Sequence, residues 1–163
     1  MIPEKEPYQF CYEVYPDSDA LAPADKALVE AARAETQHAY APYSRFNVAA
    51  VARLANDAIV KGTNQENASY PVTICAERVL LSTATMLHPS VPIHTMAISY
   101  HSLDGKSEKP ISPCGLCRQS LKEMEDRMGA PIRLLLTGMH GKVYVIAQAS
   151  QLLPLSFGGA DLK

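Results

Sequence analysis

Four residues in two short groups carry the chemistry of this 163-residue chain. The first group is Cys75-Ala76-Glu77, the second Pro113-Cys114-Gly115-Leu116-Cys117. A thiolate is both a nucleophile and a soft metal ligand, and the Cys-x-x-Cys spacing sets two sulfurs close together. Three converging thiolates suit zinc. Three protein ligands also leave a fourth position open to water, which is the catalytic rather than the structural pattern. Zinc lowers the pKa of such a water toward neutrality. Each group alone says little: Cys-x-x-Cys also describes a redox pair or half of a structural zinc site, and any buried cysteine near a helical glutamate makes a Cys-x-Glu. The remaining cysteine, Cys11, lies in an alternating stretch and reads as a half-buried strand residue. The five histidines lie outside both groups and read as surface or turn residues.

Each group opens a predicted helix. One runs over 75–87 and ends at His88-Pro89; the other runs over 114–128 and closes at Gly129 and Pro131. Helix starts present unpaired N–H groups and partial positive charge, which favour thiolates. Two cysteine-bearing helix starts separated by one strand therefore make a strong combined signal. The same order, Cys or His, x, Glu and later Pro-Cys-x-x-Cys, defines zinc deaminases of nucleobases, where the Glu is acid and base but not a ligand. Glu77 is accordingly the candidate catalytic residue, and Cys75, Cys114 and Cys117 are the candidate metal ligands.

Around these helices the pattern predicts strands. Tyr8, Phe10, Tyr12 and Val14 alternate with polar neighbours up to Pro16-Asp17, so residues 1–20 read as an N-terminal extension with a candidate extra strand. Pro23 fits the first position of a helix carrying Leu28, Ala31, Ala32 and Glu35. Strands are predicted over 46–54 and 58–64, joined at Asn56-Asp57, and again over 93–100, 131–138 and 142–148, with a short helix and tail from 149. A helix, a hairpin, then alternating helices and strands make an α/β domain over 21–163, layered around one mixed sheet.

Composition narrows the partners. Fifteen Lys and Arg stand against 17 Asp and Glu, a formal charge of −2, where binding nucleic-acid backbones needs a basic face. No apolar run is long enough for a bilayer, and the polar, proline-containing start does not read as a secretory signal. The expectation is a cytoplasmic protein with reduced cysteines and a small-molecule substrate, with neither nucleic acid nor membrane as partner.

The stretches "YAPYSRFNVAA", "GTNQENASYPVTICAER", "ISPCGLCRQSL" and "LLPLSFGGADL" occur in one order, and on them the chain resembles the small homotetrameric cytidine deaminases from about Pro23 to its end. The resemblance implies a three-layer α/β/α sandwich with a mixed five-stranded sheet and one Zn²⁺ per subunit. It implies hydrolysis of cytidine and 2′-deoxycytidine to uridine and 2′-deoxyuridine with release of ammonia, as in pyrimidine salvage. It also implies that Asn64 and Glu66 bind the ribose 3′-hydroxyl, that Phe46 stacks on the pyrimidine, and that backbone near Ala76 and Ser112 meets the polar edge of the base. Three thiolates and one Zn²⁺ sum to −1, so a cation is needed beside them. By resemblance Arg78 fills this need, bonding the sulfurs of Cys75 and Cys114. The segment Ala68–Tyr70 and Phe157 are implied to reach neighbouring subunits' sites. Asn47, Ala49 and Ser69 depart from the family pattern, where proline, glycine and cysteine or alanine are usual. A deaminase of another small amine would share the zinc groups without needing Asn64 and Glu66. A nucleic-acid deaminase and a non-catalytic zinc module are the further alternatives.

Overall fold

A computed structural model describes residues 3–162. In chain order it contains β1 (Glu13–Tyr15), α1 (Pro23–Glu35), β2 (Phe46–Leu54), β3 (Ile59–Thr63), α2 (Ala76–Leu87), β4 (Ile93–Ser102), α3 (Gly115–Met128), β5 (Arg133–Leu136) and β6 (Val143–Ile146), with short 3-10 turns between them and at the end. The strands form one mixed sheet in the order β1-β6-β5-β4-β2-β3. Among the strands of the described residues, only β4 and β5 pair in parallel, and α3 makes the crossover between them.

Two apolar clusters sandwich the sheet. Ala50, Ala52, Met96, Ile98, Leu134 and Leu136 face α2 and α3; Val51, Ala97 and Leu135 face α1 through Leu28, Val29 and Ala32. Both faces are covered, so the central strands are apolar almost throughout rather than alternating. This is the expected three-layer sandwich. Among the described residues, no helix is long and apolar enough to cross a membrane.

The sheet has six strands rather than five. The extra one is β1, which pairs antiparallel with β6 from Glu13 opposite Val145 to Tyr15 opposite Val143. Pairing covers only three residues, fewer than the alternation from Tyr8 predicts. Upstream, Tyr8, Phe10 and Tyr12 form a ladder of rings instead, with centroids 6.5 and 6.1 Å apart, and Tyr12 lies 5.1 Å from Tyr144. The period of two reflects surface aromatic packing there, not pairing. Cys11 sits in this stretch and is exposed, not a half-buried strand residue. β5 is also shorter than predicted. The N–H of Ile132 donates to Glu125 Oε1 at 2.7 Å, a helix carboxylate taking the place of a ladder partner.

Candidate active site

The site is assembled where two helix starts meet the sheet. Cys75 caps α2 with extended backbone, φ −71° and ψ 151°, and Cys114 caps α3 with φ −68° and ψ 171°. Ile74, just before Cys75, exchanges backbone hydrogen bonds with Gln65 at 2.9 and 3.0 Å, so the Asn64–Glu66 segment lies alongside the entry to α2. β3 packs directly on this first turn: a Cβ at Gly62 would lie 2.5 Å from both Ala76 O and Leu80 N. Glycine is therefore what lets the turn carrying Glu77 sit down on the sheet.

The three sulfurs converge. Cys75 Sγ lies 3.7 Å from Cys114 Sγ, which lies 3.5 Å from Cys117 Sγ, and all three fall within 4.8 Å of one another. Tetrahedral zinc with sulfur at about 2.3 Å sets its thiolates roughly 3.8 Å apart, so this donor set fits zinc. Among the described residues, no fourth His, Cys, Asp or Glu joins the cluster. Cys75 is half-buried, Cys114 exposed and Cys117 buried.

Charge differs sharply between neighbours. Hydrogen bonding from Cys117, helped by Cys114 and the Arg78 charge, lowers the Cys75 thiol to about 6. The same contact, with burial and Glu77 added, pushes Cys117 up. Glu77 is 5% exposed. Its burial, and then the Cys75 thiolate, hold its carboxyl above the usual range. A carboxyl whose pKa is raised toward the working pH is suited to taking and giving protons.

Asn64 and Glu66 brace the backbone over residues 43–48. Buried Asn64 accepts from Val48 N–H at 2.7 Å and donates to Phe46 O at 2.9 Å. Glu66 Oε2 accepts from Tyr43 and Ser44 N–H at 2.9 and 3.2 Å. Half-buried Phe46 stacks on Tyr100 at 4.7 Å and 19°. Ala76 is buried in the first position of α2, while Ser112 is exposed.

The remaining residues sit farther out. Arg78 is half-buried and acts on Cys75 through its charge. Among the described residues, it donates no hydrogen bond to a sulfur, unlike the expectation from the resemblance. It lines instead an open cleft of about 740 Å³ between α2, α3 and the tail, together with Phe157. That cleft lies beside the cysteines and Glu77 rather than over them. Ala68, Tyr70 and Phe157 are exposed, and Tyr70 meets Tyr43 edge-on at 5.9 Å.

Sequence reasoning missed Gly62, Tyr100, Arg118 and Glu125. Buried Glu125 accepts from the N–H groups of Ile132, Ala149 and Ser150, tying α3 to β5 and to the tail. Arg118 directly follows Cys117, which is the one signal that marked it.

Helix starts carrying Cys-x-Glu and Pro-Cys-x-x-Cys against a mixed sheet define a zinc hydrolase of the deaminase class. Residues 23–128 match the model of the cytidine and deoxycytidylate deaminase zinc-binding region. A cytidine deaminase of Halalkalibacterium halodurans is 33% identical over 136 residues, 83% of this chain and 96% of that protein. One from Sporosarcina psychrophila is 33% identical over 85% of this chain and 94% of its own length. The crystal structure of cytidine deaminase from Burkholderia pseudomallei superposes with a TM-score of 0.70 at 38% identity, covering 80% of this chain and 97% of that one. The chain belongs to the cytidine deaminase family, and its cofactor is one zinc, with which the Cys75, Cys114 and Cys117 cluster is consistent.

Proposed function

We propose that this protein hydrolyses cytidine and 2′-deoxycytidine to uridine and 2′-deoxyuridine, releasing ammonia, in the salvage of pyrimidine nucleosides in the cytoplasm. The observation that carries this reading is the buried carboxyl of Glu77, two residues from one of three sulfurs spaced for zinc. When bound, zinc supplies a Lewis acid that lowers the pKa of a water. The chain's own residues do the rest. Phe46 stacks on the pyrimidine, Asn64 and Glu66 hold the 3′-hydroxyl, and backbone at Ala76 and Ser112 meets the base edge. Glu77 takes a proton from the attacking water and gives it to N3. The water oxygen bonds to C4; Glu77 then takes the proton of the new C4 hydroxyl and delivers it to the exocyclic amine, so that the C4–N bond breaks as C4=O forms. One water is consumed and one ammonia leaves. Arg78 offsets the excess negative charge of the thiolates. The exposure of Ala68, Tyr70 and Phe157 supports a homotetramer in which these residues complete neighbouring sites.

The test is ammonia release by the zinc-loaded protein from cytidine, 2′-deoxycytidine, 3′-deoxycytidine, cytosine and single-stranded DNA. Both nucleosides carrying a 3′-hydroxyl should turn over with similar kcat/KM. The 3′-deoxy compound and the free base should be poor, because Asn64 and Glu66 lose their partner. Equal kcat/KM for cytidine and its 3′-deoxy form would remove the sugar role of these residues. Turnover of DNA alone would replace the reading.

A further inference from the structure

The segment after the last strand has little of its own to hold it. Between the 3-10 turns Ala149–Leu152 and Gly159–Leu162 it has no regular structure, Leu155 is fully exposed and Phe157 is 58% exposed. Ala149 and Leu152 root it in the core, and α3 fixes it further: Glu125 takes the N–H groups of Ala149 and Ser150. Gln119 Nε2 donates to Phe157 O at 2.9 Å, and Arg118 Nη1 donates to Leu152 O at 3.0 Å. Arg118 also donates through Nε to Pro113 O at 2.8 Å. Pro113 immediately precedes Cys114, so one guanidinium joins the loop that presents two sulfurs to the root of the tail. Its donors lie in a fixed plane, which lets one group hold two carbonyls in a set relation; a lysine ammonium lacks that fork. Two of these bonds reach the tail, both at backbone carbonyls, and they add to the packing of the buried Leu152 side chain in the core.

We propose that Arg118 is a positioning residue that locks the metal-ligand turn Pro113–Cys117, the start of α3, and the tail segment Leu152–Phe157 into one arrangement. Order at the sulfurs then passes to Phe157, and loosening either end loosens the other. The contribution of the tail to substrate binding rests on the proposed function; the mechanical coupling does not.

The experiment compares the zinc-loaded full chain with Arg118→Met, Arg118→Lys and Gln119→Ala, reading zinc per chain, amide hydrogen exchange and steady-state kinetics with cytidine. Arg118→Met should keep its zinc while amides in 152–158 exchange about tenfold faster, the effect of losing a charge-assisted hydrogen bond. KM should rise about tenfold and kcat should fall less, since Glu77 lies on α2, outside the contacts that are lost. Arg118→Lys should fall between Arg118→Met and the parent. Gln119→Ala leaves the Pro113 contact intact, so faster exchange should be confined to residues near Phe157. Chelating the zinc of the parent should also raise exchange in 152–158. Unchanged tail exchange in Arg118→Met, or in the parent after chelation, overturns the coupling. If Arg118→Met does not fold, Gln119→Ala and the chelated parent decide it. If no nucleoside is turned over by the parent, the proposed function fails while the exchange measurements still decide this inference.

Discussion

Glu77 lies inside the first turn of α2, nearly sealed from solvent, with a thiol of depressed pKa two residues before it. Burial and a neighbouring negative charge both oppose its ionisation and hold its carboxyl above the usual range. The residue is therefore prepared to accept a proton and release it again. Glu77→Ala should lower kcat by about 10²–10⁴-fold or more, the usual contribution of a positioned acid and base, while metal analysis still finds one zinc per chain. Near-normal turnover with zinc retained would assign the proton transfers elsewhere. At this scale the sequence was legible where chemistry resides in side-chain type and spacing, as at Cys75, Cys114 and Cys117, whose sulfurs converge. It was not legible where a side chain serves distant backbone. Arg118 works through carbonyls five and 34 residues away, and nothing in its own neighbourhood names Leu152.

Among elements, the contact between β3 and α2 sets the position of the site. Helix on sheet normally leaves room for side chains between the layers; here backbone meets backbone at Gly62. Gly62→Ala should force strand and helix apart, costing roughly 1–3 kcal/mol as overpacking does. The denaturant midpoint should fall, and kcat should fall further than stability alone explains, because the displaced turn carries Glu77. Gly115→Ala makes the control, since a Cβ there meets nothing within 4 Å. Equal tolerance at the two positions would show that the layers can separate freely. Helix limits were readable because proline and glycine punctuate them, as at Pro23 and Gly129, whose φ is +62°. The start of β5 was not, because the carboxylate that takes the Ile132 N–H comes from the middle of α3. The stretch from Tyr8 to Tyr12 misled because rings packed in a row and residues paired in a ladder share the same period of two.

At the level of the whole molecule, the proposed homotetramer would complete each site with Ala68, Tyr70 and Phe157 of neighbouring subunits. Mixing a Glu77→Ala preparation with a Phe157→Ala preparation, after subunit exchange, should yield more activity than either parent, because some sites then hold both wild-type residues. No gain after demonstrated exchange would make each site self-sufficient. β1 has a different consequence, which concerns solubility and not turnover. Without it, β6 would end the sheet and offer a bare row of amides and carbonyls flanked by Tyr144 and Val145, a template on which unrelated chains can add strands. β1 covers that row and presents only three residues of new edge. Deleting residues 1–15 should leave zinc content intact yet produce turbidity on mild warming that grows with protein concentration, readable by static light scattering. In that sense the N-terminal arm works as an intramolecular guard, keeping crowded copies of the protein from templating on one another.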